Sequence, residues 1–249
     1  MTAPFAEVPS GATLARMRET TGRWGTLDQR AVFLRCYEVM TVSMLEALSS
    51  EAFEDPVWVT RLLERFAGYY FDALDAYEQD PAAAPTAWRL AHDACLDPDA
   101  RPLQRLLLGI NAHVNYDLAL ALHELLEPDW GPMPVESRES RLRDYVRVNQ
   151  VIAATVDQVQ DQLVEPLEPV LRVLDVLLGG ADELVASRLL DRWRDGAWEH
   201  GLALLDARSP DERTSVVLLL EVEAVHTARL IMLGAKPDRS PDLRSGEAS

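Results

Sequence analysis

Lysine is nearly missing from this sequence. Lys236 is the sole example in 249 residues, and arginine supplies the rest of the 24 basic groups. Against 41 acidic residues they leave a formal charge of -17, which repels nucleic-acid phosphates and anionic lipid surfaces at long range. Neither nucleic acid nor a membrane is therefore an expected partner. Cysteine is scarce too: Cys36 and Cys95 lack Cys-x-x-Cys spacing and fall in apolar helical patterns, where a buried free thiol is the ordinary state. No apolar run approaches the ~20 residues of a membrane span, and even residues 216–220 lie between acidic side chains. Met1 to Ser10 has neither the basic nor the apolar stretch of a secretory signal, so a cytoplasmic location is expected. Strand-like alternation does not persist anywhere, and no repeat of fixed period occurs.

Helical punctuation fills the space those absences leave. Thr26-Leu27-Asp28-Gln29 reads as a capping box opening a helix to about Ala52, and Asp55-Pro56 opens a second with Val59, Leu62, Leu63, Phe66, Tyr69, Tyr70 and Ala73 at helical spacing. A break at Asp80-Pro81-Ala82-Ala83-Ala84-Pro85 precedes a short helix carrying Trp88, His92 and Cys95, and Asp97-Pro98-Asp99 makes a turn. The next helix runs from near Pro102 to near Glu127. Pro128 to Ser140, with three prolines and Gly131, reads as the longest irregular stretch and the one lid candidate. A helix from about Arg141 to Val164 is interrupted by Pro166 and Pro169, and a shorter apolar segment ends at Gly179-Gly180. Two more span roughly Asp182 to Ala207 and, from the Ser209-Pro210-Asp211-Glu212 cap, to Gly234. The expected fold is all-α: one antiparallel helical bundle of about eight helices over residues 1–234, with its core in 27–234 and a disordered tail in 235–249.

Polar residues crowd into one of these helices. At ~100° per residue, His113 and Asp117 share a stripe with Leu103, Leu106, Ile110, Val114 and Ala121, so both are expected to be buried. Four residues apart, they can hydrogen-bond, which fixes an imidazole tautomer for acid–base chemistry or metal ligation. Asn111 and Asn115 form a second such pair. A further cluster joins Asp144, Tyr145 and Asn149 on one helix with Arg194, Trp193 and Trp198 on another, a cationic and aromatic wall suited to an anionic or carbonyl-bearing ligand. His113 is expected to face the helix of Asp144 and Asn149. In an unbroken helix His123 lies about 80° away from His113, which places it at the surface. His226 reads as a half-buried structural residue.

The run Leu108-Gly109-Ile110-Asn111-Ala112-His113-Val114-Asn115-Tyr116-Asp117-Leu118 resembles the signature of an uncharacterised all-helical bacterial family of unknown function. Asp144-Tyr145-Val146-Arg147-Val148-Asn149 and Trp193-Arg194-Asp195-Gly196-Ala197-Trp198 resemble two further segments of that family, with Tyr145 where a His stands in its pattern. The resemblance covers roughly residues 30 to 205 and implies no activity. More remotely, His113, Asp117 and His123 repeat the His-x3-Asp-x5-His spacing of zinc-dependent phospholipase C and single-strand nucleases. Tyr145 replaces the later His, the N-terminal Trp is absent and His92 and His200 are the remaining spare imidazoles, which argues against a complete trinuclear zinc site.

Two functions fit these residues. In the first the protein is a small-molecule enzyme: His113, oriented by Asp117, acts as general acid or base with Asp144 nearby, and Asn111, Asn115, Tyr145, Asn149, Arg194 and Trp198 bind substrate. A variant of it holds one divalent metal on His113, Asp117 and Asp144. In the second the protein is a non-catalytic helical module that binds a ligand or partner, and the polar cluster is structural.

Overall fold

A computed structural model of the chain describes residues 10–25, 28–162 and 183–233. Its helices in chain order are α1 (Ser10–Trp24), α2 (Arg30–Ser49), α3 (Pro56–Gln79), α4 (Thr86–Leu96), α5 (Pro102–Ala112), α6 (Leu118–Trp130), α7 (Val135–Gln162), α8 (Glu183–Asp206) and α9 (Pro210–Leu233). A 3-10 turn (Pro81–Ala83) precedes α4, and a π-helical turn (His113–Asp117) joins α5 to α6 without a break. Counting α5, the π turn and α6 as one rod gives eight rods among the described residues, and no strand occurs among them. None of the described helices is long and apolar enough to cross a membrane.

The caps explain several boundaries. Asp55 accepts from the Trp58 N–H at 2.9 Å with Pro56 at the first position of α3, and Ser209 accepts from the Glu212 N–H at 3.1 Å at the start of α9. Three boundaries differ from expectation. Residues 10–24 form α1, which buries Met17 and pairs Arg16 with Asp75 and Arg23 with Glu78 of α3. Residues 128–140 are not a lid: α6 runs through Pro128 to Trp130, and α7 begins at Val135. Arg138 closes the short gap by donating to the carbonyls of Trp130 and Gly131 at 2.7 and 3.1 Å. The Thr26 cap, Pro166, Pro169, the Gly179-Gly180 stop, Gly234 and the tail lie outside the described residues.

Two apolar clusters share the interior. The first gathers Trp58, Leu62 and Phe66 of α3 with Leu118, Leu122 and Leu126 of α6, Tyr145 of α7 and Trp198 of α8. The second gathers Met17, Leu34, Tyr70, Phe71, Leu74, Trp88 and Leu108 from α1 to α5, with Ala224 and Ala228 of α9. Each fully buried leucine in these clusters contributes roughly 1.5–3 kcal/mol. Tyr37 and Tyr116 pack against both, and the π turn sits at the join. Glycine permits the closest approach there: a Cβ on Gly109 would lie 2.6 Å from Phe33 Cδ2 of α2.

Candidate functional site

The helix carrying the polar run is not regular. The Leu118 N–H donates to the His113 carbonyl, a bond over five residues rather than four, so one extra residue is wound into the turn. The uniform ~100° stripe read from the sequence therefore ends at Ala112. His113 and Asp117 still meet, with Nδ1 and Oδ2 2.9 Å apart, and they are 3% and 1% exposed.

Their surroundings correct one expectation. His113 faces α2, α3 and α4, not the helix of Asp144 and Asn149. Phe66 stacks on its ring at 3.5 Å and 6°, Tyr37 meets it edge-on at 4.6 Å, and Phe33, Trp88 and Tyr70 complete an aromatic cage at 5.8 to 6.2 Å. The physical reason is that α7 commits its polar side chains to the start of α3 and to α8. Trp88 Nε1–H donates to the same Asp117 Oδ2 at 2.9 Å. Sequence reading left Trp88 and the cage aromatics out of the site. Phe66 and Tyr70 at helical spacing, and an indole on a short Ala-rich helix, were the available signals.

Burial sets the proton count. Desolvation raises the Asp117 carboxyl well above the ordinary carboxylate range, opposed by the Trp88 N–H, and desolvation followed by the charge of Arg194 lowers His113 well below the usual imidazole range. Both effects favour a net-neutral pair with one proton between Nδ1 and Oδ2. The second ring nitrogen then carries a hydrogen. That atom, Nε2, is buried without a hydrogen-bond partner among the described residues, as is the Tyr70 hydroxyl. Next to the cage, His92 stacks on Trp88 at 5.4 Å and burial pushes its imidazole down to about 4.

Asn111 and Asn115 leave the cage on another side. Asn111, wholly buried, donates to the Ala224 carbonyl of α9 at 2.9 Å and accepts from Asn115 at 2.8 Å. Asn115 reaches an open cleft of about 420 Å³ lined also by Trp193, Gly196 and His200 of α8 and by Glu223 and His226 of α9. His200 and Glu223 approach to 3.4 Å across it. His226 is exposed rather than half-buried. His123, expected at the surface, is half-buried beside Glu127, its side chain 12% exposed and its Nδ1 buried without a partner among the described residues.

The α7 cluster divides in two. Asp144 is 2% exposed and accepts from the backbone N–H groups of Glu54 and Asp55, each at 2.8 Å, while Arg141 and Arg143 bind the side chains of Asp55 and Glu54 at 2.6 Å. Asp144 thus anchors α7 to the entry of α3. It is committed there rather than beside His113, and so does not hold the catalytic or metal position expected of it. Tyr145 and Asn149 turn to α8: the Tyr145 hydroxyl donates to the Arg194 carbonyl at 2.6 Å, and Arg194 Nε–H donates to Asn149 Oδ1. Trp198 packs against the Tyr145 ring at 4.9 Å and serves as a wall of the core.

A family model described as "Family of unknown function (DUF5995)" matches residues 11–234. The chain belongs to that family. DUF5995 therefore spans all the described helices but the first residue of α1, and the His113 turn lies inside it. No curated protein and no solved structure matches the chain. For a metal, the site of this DUF5995 member does not fit: Asp144 is committed elsewhere, and no group of three or more His, Cys, Asp or Glu side chains among the described residues is placed to hold an ion.

Proposed function

We propose that the protein is a small-molecule enzyme whose His113–Asp117 pair works as a buried acid–base centre. The observation that carries this reading is His113 Nε2, shut inside an aromatic cage with no partner among the described residues while Nδ1 is held by Asp117. A purely structural histidine would normally satisfy both nitrogens, because an unpaired buried donor costs about 1–3 kcal/mol. In the net-neutral pair Nε2–H is the acid. As it passes its proton to a bound molecule, the bridging proton moves from Oδ2 to Nδ1, and the Trp88 N–H stabilises the carboxylate left on Asp117. The return of a proton to Nε2 resets the pair. Asn149, Tyr145 and Arg194 bind one another on α7 and α8, and α8 packs against the π turn, while Asn111 and Asn115 link that turn to the α8–α9 cleft. The free thiols of Cys36 and Cys95 support a reducing compartment, the cytoplasm.

The close Phe66 stack favours a second reading, in which the cage is a plug and the module binds its ligand in the Asn115 cleft without chemistry. One experiment separates the two. A library of small polar fragments is screened by thermal shift, and the imidazole nitrogens of the protein are followed by NMR. Under the enzyme reading, hits displace the His113 Nε2 resonance and lose their effect in His113→Gln. Hits that move only His200 and His226, and bind His113→Gln as well as wild type, would establish the plug.

A further inference from the structure

One charge is left over once the His113–Asp117 pair is neutral. Arg194 is 4% exposed, and it is the only arginine among the buried described residues. Its Nε–H goes to the amide oxygen of Asn149, its carbonyl accepts from Tyr145, and its Cζ lies 5.2 Å from the centre of the Tyr145 ring. These contacts fix the plane of the guanidinium and neutralise nothing. Asp191 and Asp195 are its neighbours on α8, but both are exposed, and no carboxylate of the described residues forms an ion pair with it. In a chain with 41 acidic residues, a buried cation held only by an amide is an unusual expense, because an uncompensated interior charge destabilises the fold. The π turn that carries His113 packs directly against α8, the helix of Arg194, and the guanidinium charge reaches Tyr37 and His113.

We propose that Arg194 is the anchor for the carboxylate of a small organic acid, which it holds by its free guanidinium edge with the rest of the molecule against His113 Nε2. This deepens the acid–base reading of His113 and rests on it. The guanidinium fork matches two carboxylate oxygens, and its orientation is already set by Asn149 and Tyr145. A monoanion balances the single buried arginine. A phosphate dianion would need a second buried arginine or lysine, and none lies among the described residues. Sequence motif and geometry agree here, since Arg194 belongs to the Trp193–Trp198 segment and Asn149 to the Asp144–Asn149 segment.

The test titrates the full chain with sodium acetate, sodium benzoate and inorganic phosphate by calorimetry, using wild type, Arg194→Met, Arg194→Lys and His113→Gln. At least one carboxylate should bind wild type saturably, bind Arg194→Met about tenfold to a hundredfold more weakly, and bind Arg194→Lys in between. Without any probe, Arg194→Met should unfold at a higher denaturant concentration than wild type, because the unpaired charge is gone. The anchor is overturned if neither carboxylate binds wild type, if Arg194→Met binds equally well, or if phosphate binds more tightly than both. His113→Gln separates the two claims. Carboxylate binding that it leaves unchanged keeps the anchor and removes His113 from the site; binding weakened in His113→Gln but not in Arg194→Met does the reverse.

Discussion

Asp117 and Asp144 are the same side chain, 1% and 2% exposed, in opposite circumstances. Asp144 receives two backbone N–H groups, one on each oxygen, from the residues that open α3. Its charge is solvated by the fold, and removing it breaks a joint. Asp117 shares one oxygen between an indole N–H and an imidazole nitrogen, and burial holds its carboxyl well above the ordinary range. Burial alone does not mark a working carboxylate. What separates the two is whether the donors around it belong to the backbone, which cannot leave, or to side chains that can exchange a proton.

The same substitution at both sites tests that difference. Asp144→Asn sets an amide NH2 against a backbone N–H, and it should lower unfolding stability by about 3–4 kcal/mol in chemical denaturation. Asp117→Asn keeps an acceptor for Trp88 and should cost no more than about 1–2 kcal/mol while abolishing ligand-dependent shifts at His113. Equal losses at the two positions would erase the distinction.

A smaller effect concerns pH. His92, beside Trp88, has a folded pKa of about 4 against an ordinary 6.5, so as pH falls below 6.5 the unfolded chain takes up a proton first. Stability is thus lost between pH 6.5 and about 4, by up to about 3 kcal/mol, and levels off below. His92→Gln should flatten that part of a denaturation series. His113 leaves a residual slope of the same sign and Asp117 one of the opposite sign, so the wild-type-minus-variant difference is the quantity to read. An unchanged slope would mean that His92 is not buried neutral.

A purely structural change should reach only one of the two aspartates. Gly109→Ala places a methyl group 2.6 Å from the Phe33 ring, which borders the His113 cage, and should cost about 2 kcal/mol. Hydrogen exchange of the Glu54 and Asp55 amides under Asp144 should stay as in wild type. Faster exchange at those amides would show that the two centres are mechanically one.

How much of this was legible beforehand depends on which force decides each feature. Caps are local chemistry, so Asp55-Pro56 and Ser209-Pro210 marked their helices correctly. The His113–Asp117 contact is a four-residue spacing and was equally readable. The partner helices were not, because nothing in Asp144 distinguishes a carboxylate turned toward backbone N–H groups ninety residues away from one turned toward an imidazole. Residues 128–140 misled in another way: a proline count predicts a loop, yet Pro128 is accommodated within the last turns of α6 and Arg138 caps their carbonyls. The π turn left no trace in composition at all.

That turn also sets the phase of everything after it. A residue wound into a helix without advancing the usual hydrogen-bond ladder rotates the following segment by about 100° relative to a straight continuation. Leu118, Leu122 and Leu126 face the first apolar cluster, while Leu108 and Ala112, on the near side of the turn, face the second. A chain one residue shorter between His113 and Asp117 would gain a regular α-helix and lose the alignment of its two ends. The irregularity works as a gear between two cores, and the histidine and aspartate sit where it engages.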